Sequence, residues 1–501
     1  MPRVREVDGH TCVMDYSSPR ITAEYYECGL PLTFDQYNRC AFNCPYCFSA
    51  FFAVGHSVSS AAVKGVTSSE GIKNLSKYRN AVRSVDPERV KRYWLEAETR
   101  RWAYTDLMIV NLIRRRTPVH WGGLCDPFDP FERRFKVGLE LLHFFRALDW
   151  PVLFSTKGTL MTESPWSDAM AGGNFRFQFS ITTLDPAKAK VNDSGVVTPQ
   201  ARLDAMRFVT GEMGCGAVLR LRPIVPGMIS PEECCELIRL AHAAGASGVS
   251  TEFFCLEQRG LENRAKYERM SAAVGFDIYE YYRRESPGQS GYLRLNRRVK
   301  AEYFVPMAAE AARLGMRFSV SDMHFKELGT VSGCCGAYWD DEGGQTRDGH
   351  AGVFVNRGTI TYAHILGKRN GVVHWAEVAE TLGWADVPLT GNGNIQGLMS
   401  DGIKRAQHRY QTLTEALRSQ WNDPNSGKSP YRYGGGRLYP DGLDEGGDVV
   451  YRYRSDDEMA AGFPMTADEP EDEPSCGSAC AAGAAPEPEV VPASALVRSR
   501  R

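Results

Sequence analysis

The chain has 501 residues, enough for one large domain with additions or for two to three domains, and its 43% hydrophobic content suits a globular protein with a sizeable core. A formal net charge of -2 conceals strong local imbalance, so the overall balance says little about partners. Fourteen cysteines without an apolar leader after Met1 read as cytosolic thiols and metal ligands, not as a disulfide framework, and no stretch approaches the length of a membrane span. The expected compartment is the cytoplasm, with no membrane association.

Residues 1–28 read as a polar, irregular N-terminal extension in which Cys12 and Cys28 fit no ligand pattern. Leu30 to Tyr37 reads as a strand that delivers the loop Cys40-Ala-Phe-Asn-Cys44-Pro-Tyr-Cys47. Three soft thiolates on one short loop suit three irons of a cubane cluster with the fourth iron left open. A structural zinc site would need a fourth ligand, for which the nearest candidate is His56. A zinc knuckle and three ordinary reduced cysteines remain the alternatives on spacing alone.

From 55 to 116 an insertion interrupts the chain, with helical character over Pro87 to Leu112. Between Lys64 and Arg116 it carries 13 Lys and Arg against 6 Asp and Glu, which makes either a face for an anionic substrate or nucleic acid, or a solvated helix surface. Strand-then-helix units follow. Strands are predicted at Pro118 to Gly123, Val152 to Thr156, Phe175 to Thr182, Ala217 to Ile224, Gly248 to Phe254 and Met316 to Ser321. Val137, Leu141, Phe144, Phe145 and Leu148 recur at helical spacing, a second helix spans about Pro199 to Glu212, and Ser230-Pro-Glu-Glu233 marks the capped start of a third. Six or seven such units argue for a parallel α/β sheet, with a barrel or partial barrel favoured over a doubly wound sheet. Ligands in that fold gather at the carboxyl ends of the strands.

Residues 256–300 read as a cover segment, with Tyr267, Phe276, Tyr279, Tyr281, Tyr282 and Tyr292 among ten Lys and Arg and six Asp and Glu. The mixture suits stacking on bases, or equally a helical cover that packs its aromatics onto the core. Residues 331–433 form a C-terminal subdomain, with helical runs at Ala376 to Leu382 and Ile403 to Trp421. Residues 434–501 read as a disordered acidic tail, because Asp441 to Val490 holds 14 Asp and Glu against 2 Lys and Arg.

The three-cysteine loop, with the aromatic Tyr46 before its last cysteine, resembles the signature of the radical S-adenosylmethionine (SAM) superfamily. The resemblance narrows to the spore photoproduct lyase-like group over Trp121-Gly-Gly-Leu-Cys-Asp-Pro-Phe-Asp-Pro-Phe-Glu132, Ser155-Thr-Lys157, Phe179-Ser-Ile-Thr-Thr183, Arg202-Leu-Asp-Ala205 and Arg222-Pro-Ile-Val-Pro-Gly227, covering about residues 37 to 255. It implies a radical SAM core over residues 29–330, folded as a partial (β/α)6 TIM-type barrel. It also implies that Cys40, Cys44 and Cys47 hold a [4Fe-4S] cluster whose open iron binds SAM, and that an electron then releases a 5'-deoxyadenosyl radical. Gly122 and Gly123 would receive the SAM amino group, although Leu124 stands where the family has an acidic residue. Lys157 and Ser180 would contact the carboxylate and ribose, with Thr182 and Arg220 as further contacts. Cys125 would return a hydrogen atom to the substrate radical. A flavodoxin or ferredoxin would supply electrons, and DNA or RNA is the expected substrate class, for lesion reversal or modification.

Two rival readings remain: a radical enzyme acting on a peptide or small metabolite, and a non-catalytic iron–sulfur or zinc module. Gly333-Cys-Cys-Gly336, Cys255 and the pair Cys476 and Cys480 are candidates for a second cluster, although adjacent cysteines ligate one metal poorly. Cys234 and Cys235 read as packing residues, and His324 as either a polar group facing the substrate or a structural histidine.

Overall fold

Apolar residues two apart along each predicted strand are brought to one face in a computed structural model that describes residues 3–16, 19–22, 29–42, 44–47, 82–97, 107–193, 195–258, 261–288, 292–331, 333–336, 358–380, 410 and 412–462. Near the N-terminus, β1 (Arg3–Val7) and β2 (His10–Tyr16) form an antiparallel hairpin. The main sheet begins with β3 (Arg20–Ile21) lying antiparallel to β4 (Leu32–Phe34). Strand β5 (Val82–Val85) returns to the hairpin and pairs in parallel with β2. The main sheet then grows through β6 (Val119–Trp121), β7 (Val152–Thr156), β8 (Phe175–Ser180), β9 (Gly216–Ile224) and β10 (Ala246–Phe253). A small antiparallel pair, β11 (Leu256–Glu257) with β12 (Tyr292–Leu293), precedes the last strand of the main sheet, β13 (Arg317–Val320).

The order β13-β10-β9-β8-β7-β6-β4-β3 follows the chain without reversal, and from β4 to β13 every pairing is parallel. That is the winding of a (β/α) barrel, since a doubly wound sheet reverses at a switch point. Among the described residues the sheet is open, with β13 and β3 at its edges, so the expected parallel α/β sheet is present while the partial barrel is not shown. Helices separate the strands, among them Val137–Ala147, Pro199–Gly211, Pro231–Ala243 and Arg297–Arg313. The capped start at Ser230 is present, with the serine side chain accepting from Glu233 and the Glu233 carboxylate accepting from Ser230.

The two faces of the sheet differ in chemistry. One carries Phe34, Trp121, Phe154 and Phe177 in cross-strand register, with ring centroids 4.9, 5.4 and 5.3 Å apart along the ladder. Phe145 of helix Val137–Ala147 packs on it, and Trp94 of helix Pro87–Ala97 packs on Phe145. Edge-on pairs of this kind add about 0.5–1.5 kcal/mol beyond their buried area. The opposite face presents His120, Ser155, Gln178, Ser180, Arg220, Ser250 and Ser319. Such a polar lining is tolerated inside a parallel sheet only where it is hydrogen-bonded or meets a ligand.

Three expectations change. The N-terminal stretch expected to be irregular contains the β1–β2 hairpin, because β2 pairs with β5, Cys12 joins the core, and Val13 and Met14 are buried as well. The acidic tail does not begin at residue 434. Residues 438–453 form the hairpin β15 (Leu438–Leu443) and β16 (Val449–Tyr453), and β16 also pairs with β14 (Val372–Val373). The acidic count hides the apolar side chains Leu438, Val449 and Tyr451, which are buried, and an acid, Asp448, which Arg418 neutralises at 2.6 Å. Regular structure therefore continues through residue 462, while residues 463–501 lie outside the described residues. The basic insertion is described only at 82–97 and 107–116, where Arg83, Arg89 and Lys91 are paired with Asp15, Asp86 and Glu88. Among the described residues no helix is long and apolar enough to cross a membrane.

Candidate functional site

The first parallel strand ends at Phe34, and the residues after it fix the cysteine loop to the rest of the sheet. Asp35 accepts the backbone N–H groups of Leu124 and Cys125 at 2.8 and 2.9 Å. Gln36 donates to the Pro127 carbonyl at 2.8 Å and accepts from the Trp121 indole at 2.6 Å. Tyr37 donates to the Glu132 carboxylate at 2.9 Å. Farther along, Ala41 N–H donates to Asp129 at 2.6 Å, and Asp129 caps helix Pro130–Phe135 by accepting from Phe131 and Glu132. The string Asp126-Pro-Phe-Asp129-Pro-Phe-Glu132 thus sets two buried acids, Asp129 and Glu132, and the half-buried Asp126 behind the start of the cysteine loop.

Within the loop, the Cys47 N–H donates to the Cys44 carbonyl at 3.1 Å, and the backbone N–H groups of Phe42 and Asp126 donate to the Cys40 sulfur. Burial, with Asp129 and Asp126 nearby, pushes the Cys40 thiol well above its ordinary value. Burial pushes Cys44 up to about 12, against the pull of Lys157. Buried thiols of this kind ionise only when a cation binds them. Among the described residues no three His, Cys, Asp or Glu side chains gather closely enough to hold a single metal ion. A cubane makes no such demand, because each thiolate binds a different iron. The donor set and the N–H groups at Cys40 therefore fit a [4Fe-4S] cluster.

Across the carboxyl ends of β7 to β9 lies a network centred on Asp193. Its carboxylate is paired with Arg202 at 2.7 Å and Lys157 at 3.4 Å, and accepts from the Tyr46 hydroxyl and from Thr182 at 3.3 Å. Burial alone would raise its pKa, but Lys157 and Arg202 hold it down at about 2. Arg202 also donates to the Ser180 carbonyl at 2.7 Å, and Arg220 donates to the Ser180 hydroxyl at 3.1 Å. The Lys157 ammonium stands 5.1 Å over the Tyr46 ring and, though its Nζ is buried, makes no hydrogen bond among the described residues. Arg220 Nε is likewise buried without a hydrogen bond among the described residues, and burial beside Arg222 lowers the Arg220 pKa to about 10. Two cations with unspent donors, on one rim with three cysteines, are what an anionic ligand group requires.

Gly122 turns at φ +102, and a Cβ there would lie 2.5 Å from the Ser155 carbonyl oxygen and 2.9 Å from Pro127 Cδ, so only glycine lets the second strand's turn approach so closely. Gly123 follows it, partly exposed. Lys157, Ser180, Arg220, Gly122, Gly123 and the three cysteines thus occupy one end of the sheet. Thr182 does too, but it is fully buried and turned to Asp193. Cys125 is buried, with its thiol donating to the Tyr37 carbonyl at 2.9 Å, behind the cysteine loop. Sequence reasoning missed Asp193, a single acid at the end of helix Pro186–Asn192 with no motif around it. Arg202 was quoted only as part of a motif, and the acids at 126, 129 and 132 only as a string.

In the cover segment, Tyr267 and Tyr282 are buried against Phe254, and Arg264 lies 3.8 Å over the Tyr279 ring. Arg264, Arg283, Arg284 and Arg298 are each paired with a glutamate. Tyr267 and Tyr282 are thus packed, while Phe276, Tyr279, Tyr281 and Tyr292 stay partly exposed. His324 is buried, burial beside Arg297 and Lys300 lowers its pKa to about 3, and its Nδ1 makes no hydrogen bond among the described residues. Cys28, Cys476 and Cys480 lie outside the described residues.

No protein-family model matches the chain, and no curated protein matches it. Among solved structures, a spore photoproduct lyase complexed with a dinucleoside spore photoproduct is 15% identical over 58% of this chain and 76% of its own, with a TM-score of 0.38. A mutant of spore photoproduct lyase with bound AdoMet and the same dinucleoside is 16% identical over 64% of this chain and 87% of its own, with a TM-score of 0.40. SuiB from Streptococcus suis, bound to the precursor peptide SuiA, is 15% identical over 50% of this chain and 46% of its own, with a TM-score of 0.30.

Proposed function

We propose that the chain is a radical SAM enzyme, and the observation that carries this reading is the pair of half-buried cations, Lys157 and Arg220, whose Nζ and Nε atoms are buried with no hydrogen bond among the described residues, on the same rim as Cys40, Cys44 and Cys47. The three cysteines would hold a [4Fe-4S] cluster, which when bound supplies the electron that cleaves SAM to a carbon radical. Lys157 and Arg220 orient the anionic end of SAM, with the Ser180 hydroxyl accepting from Arg220. The turn at Gly122 and Gly123 leaves backbone groups open to the amino end. Asp193 keeps Lys157 and Tyr46 in place, and because one carboxylate faces both Lys157 and Arg202 the cluster keeps a net positive charge. Asp129, Asp126 and Asp35 hold the loop in register.

For substrate we favour nucleic acid or another nucleobase-containing molecule, with lesion reversal or modification as the reaction and a flavodoxin or ferredoxin as electron donor. The reading rests on the lyase-like motifs and the basic stretch between Lys64 and Arg116. The buried tyrosines and paired arginines of the cover segment favour a second reading, a peptide or small metabolite.

The test is 5'-deoxyadenosine formation by anaerobically reconstituted, reduced protein given SAM alone, with untreated DNA, or with ultraviolet-treated DNA, and with Cys44→Ala as control. Product that requires Cys44 supports the radical step, and stimulation by either DNA supports the first substrate class. An intact cluster without product would overturn the enzyme reading. Product with no response to DNA and no salt-sensitive DNA or RNA binding would turn us to the second.

A further inference from the structure

After β13 the chain folds back, and Gly333 to Gly336 lies on the polar face of the sheet. Four strands hold it there. Ser319 of β13 donates to the Gly333 carbonyl at 2.5 Å, and Ser250 of β10 donates to the Cys334 carbonyl at 2.8 Å. Arg222 of β9 reaches the same Cys334 carbonyl at 3.5 Å, and Gln178 of β8 donates to the Cys335 carbonyl. Gly336 turns at φ +63 with Val218 and Ser319 against it, a close approach that suits glycine. The turn therefore presents Cys334 and Cys335 at a fixed place, both buried, with their sulfurs 3.9 Å apart. Arg220 is within electrostatic reach of both sulfurs, and the same Arg220 donates to Ser180 on the proposed SAM rim.

We propose that Cys334 and Cys335 form a redox-active dithiol that gives a hydrogen atom to a carbon-centred radical on this face and closes to a vicinal disulfide. The proposal rests on the radical SAM reading and names its reducing group. One S–H bond breaks as a C–H bond forms on the radical, leaving a thiyl radical. The second thiol releases its proton to water, and its thiolate joins the thiyl radical in an S–S bond carrying one extra electron. That electron leaves to a one-electron acceptor, the oxidised form of the carrier that supplied the first electron. An external dithiol then reduces the disulfide. Arg220, within electrostatic reach of both sulfurs, supplies positive charge that stabilises the electron-rich S–S bond, while Arg222 beside it is paired with Glu252. Adjacent α-carbons lie about 3.8 Å apart across a trans peptide, shorter than the usual disulfide span of roughly 4.4–6.8 Å, so the disulfide is strained and readily reduced again. Cys125 lacks this setting: its thiol is spent on the Tyr37 carbonyl behind the cysteine loop.

The experiment uses the full chain with its cluster, SAM as the only probe, a one-electron reductant and deuterium oxide, comparing wild type, the double variant Cys334→Ser/Cys335→Ser, and Cys125→Ser. The deuterium content of 5'-deoxyadenosine is read, and the peptide Glu327 to Arg347 is weighed after alkylation. In wild type we expect one solvent deuterium in the product and a peptide two hydrogens lighter that resists alkylation. The double variant should still cleave SAM but lose the label, while Cys125→Ser keeps it. Unlabelled product from wild type, or label retained in the double variant, would overturn the proposal. A second readout needs no turnover: phenylarsine oxide, which bridges paired thiols, should bind this peptide in wild type. Binding without any 5'-deoxyadenosine would uphold the paired dithiol while removing the radical reading, and with it the hydrogen-donor role. Neither thiol reacting with the arsenical would refute the pairing itself.

Discussion

Replacing Asp193 with asparagine keeps the shape of the side chain and removes its charge, so it measures what the buried carboxylate does for Lys157 and Arg202. The carboxyl is held at about 2 against an ordinary 3.8, because the two cations and the hydroxyl donors outweigh its burial. A shift of nearly two units makes the ionised form better than the neutral one by about 2.4 kcal/mol, and asparagine approximates that neutral form. Removing one partner of a buried pair costs about 3–5 kcal/mol in other proteins, so the expected loss is about 2–4 kcal/mol. The sign follows from the lowered pKa: this stability is fully present above pH 4 and is lost as the pH falls through about 2. Urea unfolding at neutral pH, followed by tryptophan fluorescence, gives the comparison. Adding Arg202→Met should return part of the loss, since the second change removes the cation left uncompensated. A single variant within about 0.5 kcal/mol of wild type would refute the reasoning, since a change that small is typical of surface positions.

Other outcomes follow from other parts of the molecule. Cys44→Ala should lose bound iron and sulfide on anaerobic reconstitution while Cys12→Ala keeps them, because Cys12 is a buried thiol facing Ser84 at 3.2 Å; elemental analysis decides it. Gly122→Ala should lower SAM binding, measured by equilibrium dialysis, since its Cβ would press on the Ser155 carbonyl at 2.5 Å. Trp421→Ala should cost about 3–5 kcal/mol and open the C-terminal subdomain to limited proteolysis, as the indole fills the space against Tyr451 and donates to Val449 at 2.6 Å. Burial lowers His364 to about 4. The unfolded chain therefore takes up a proton below about pH 6.5 that the folded chain refuses, and stability falls by about 1.4 kcal/mol per pH unit down to the folded pKa. His364→Gln should flatten the loss between pH 6 and 4.5, seen in acid titrations of the unfolding midpoint.

Much of the strand pattern was legible because each parallel strand is buried on both faces and bounded by turns. Val152–Thr156 matches its predicted bounds, and most others differ by one or two residues at an end. The cysteine loop was legible because its chemistry is local. Asp193 was not, because its partners come from four separate places in the chain, Tyr46, Lys157, Thr182 and Arg202. The hairpin at 438–453 was hidden for the opposite reason. Its local composition is acidic and glycine-rich, and what orders it is distant: Val372 and Val373 as strand partners, Arg418 as counter-ion to Asp448, and Trp421 as packing surface.

The same distinction bears on chemistry. Of the cysteines outside the loop, Cys125 was singled out by its sequence neighbours, Asp126 and Pro127, and these place it in the structure behind the loop, where its thiol bonds to a backbone carbonyl. Cys334 and Cys335 were set aside because adjacent cysteines ligate one metal poorly. That argument bears on metal binding only. Once the sheet carries their turn to Arg220, the same adjacency holds two sulfurs within 3.9 Å, which hinders shared ligation and favours a two-thiol redox step.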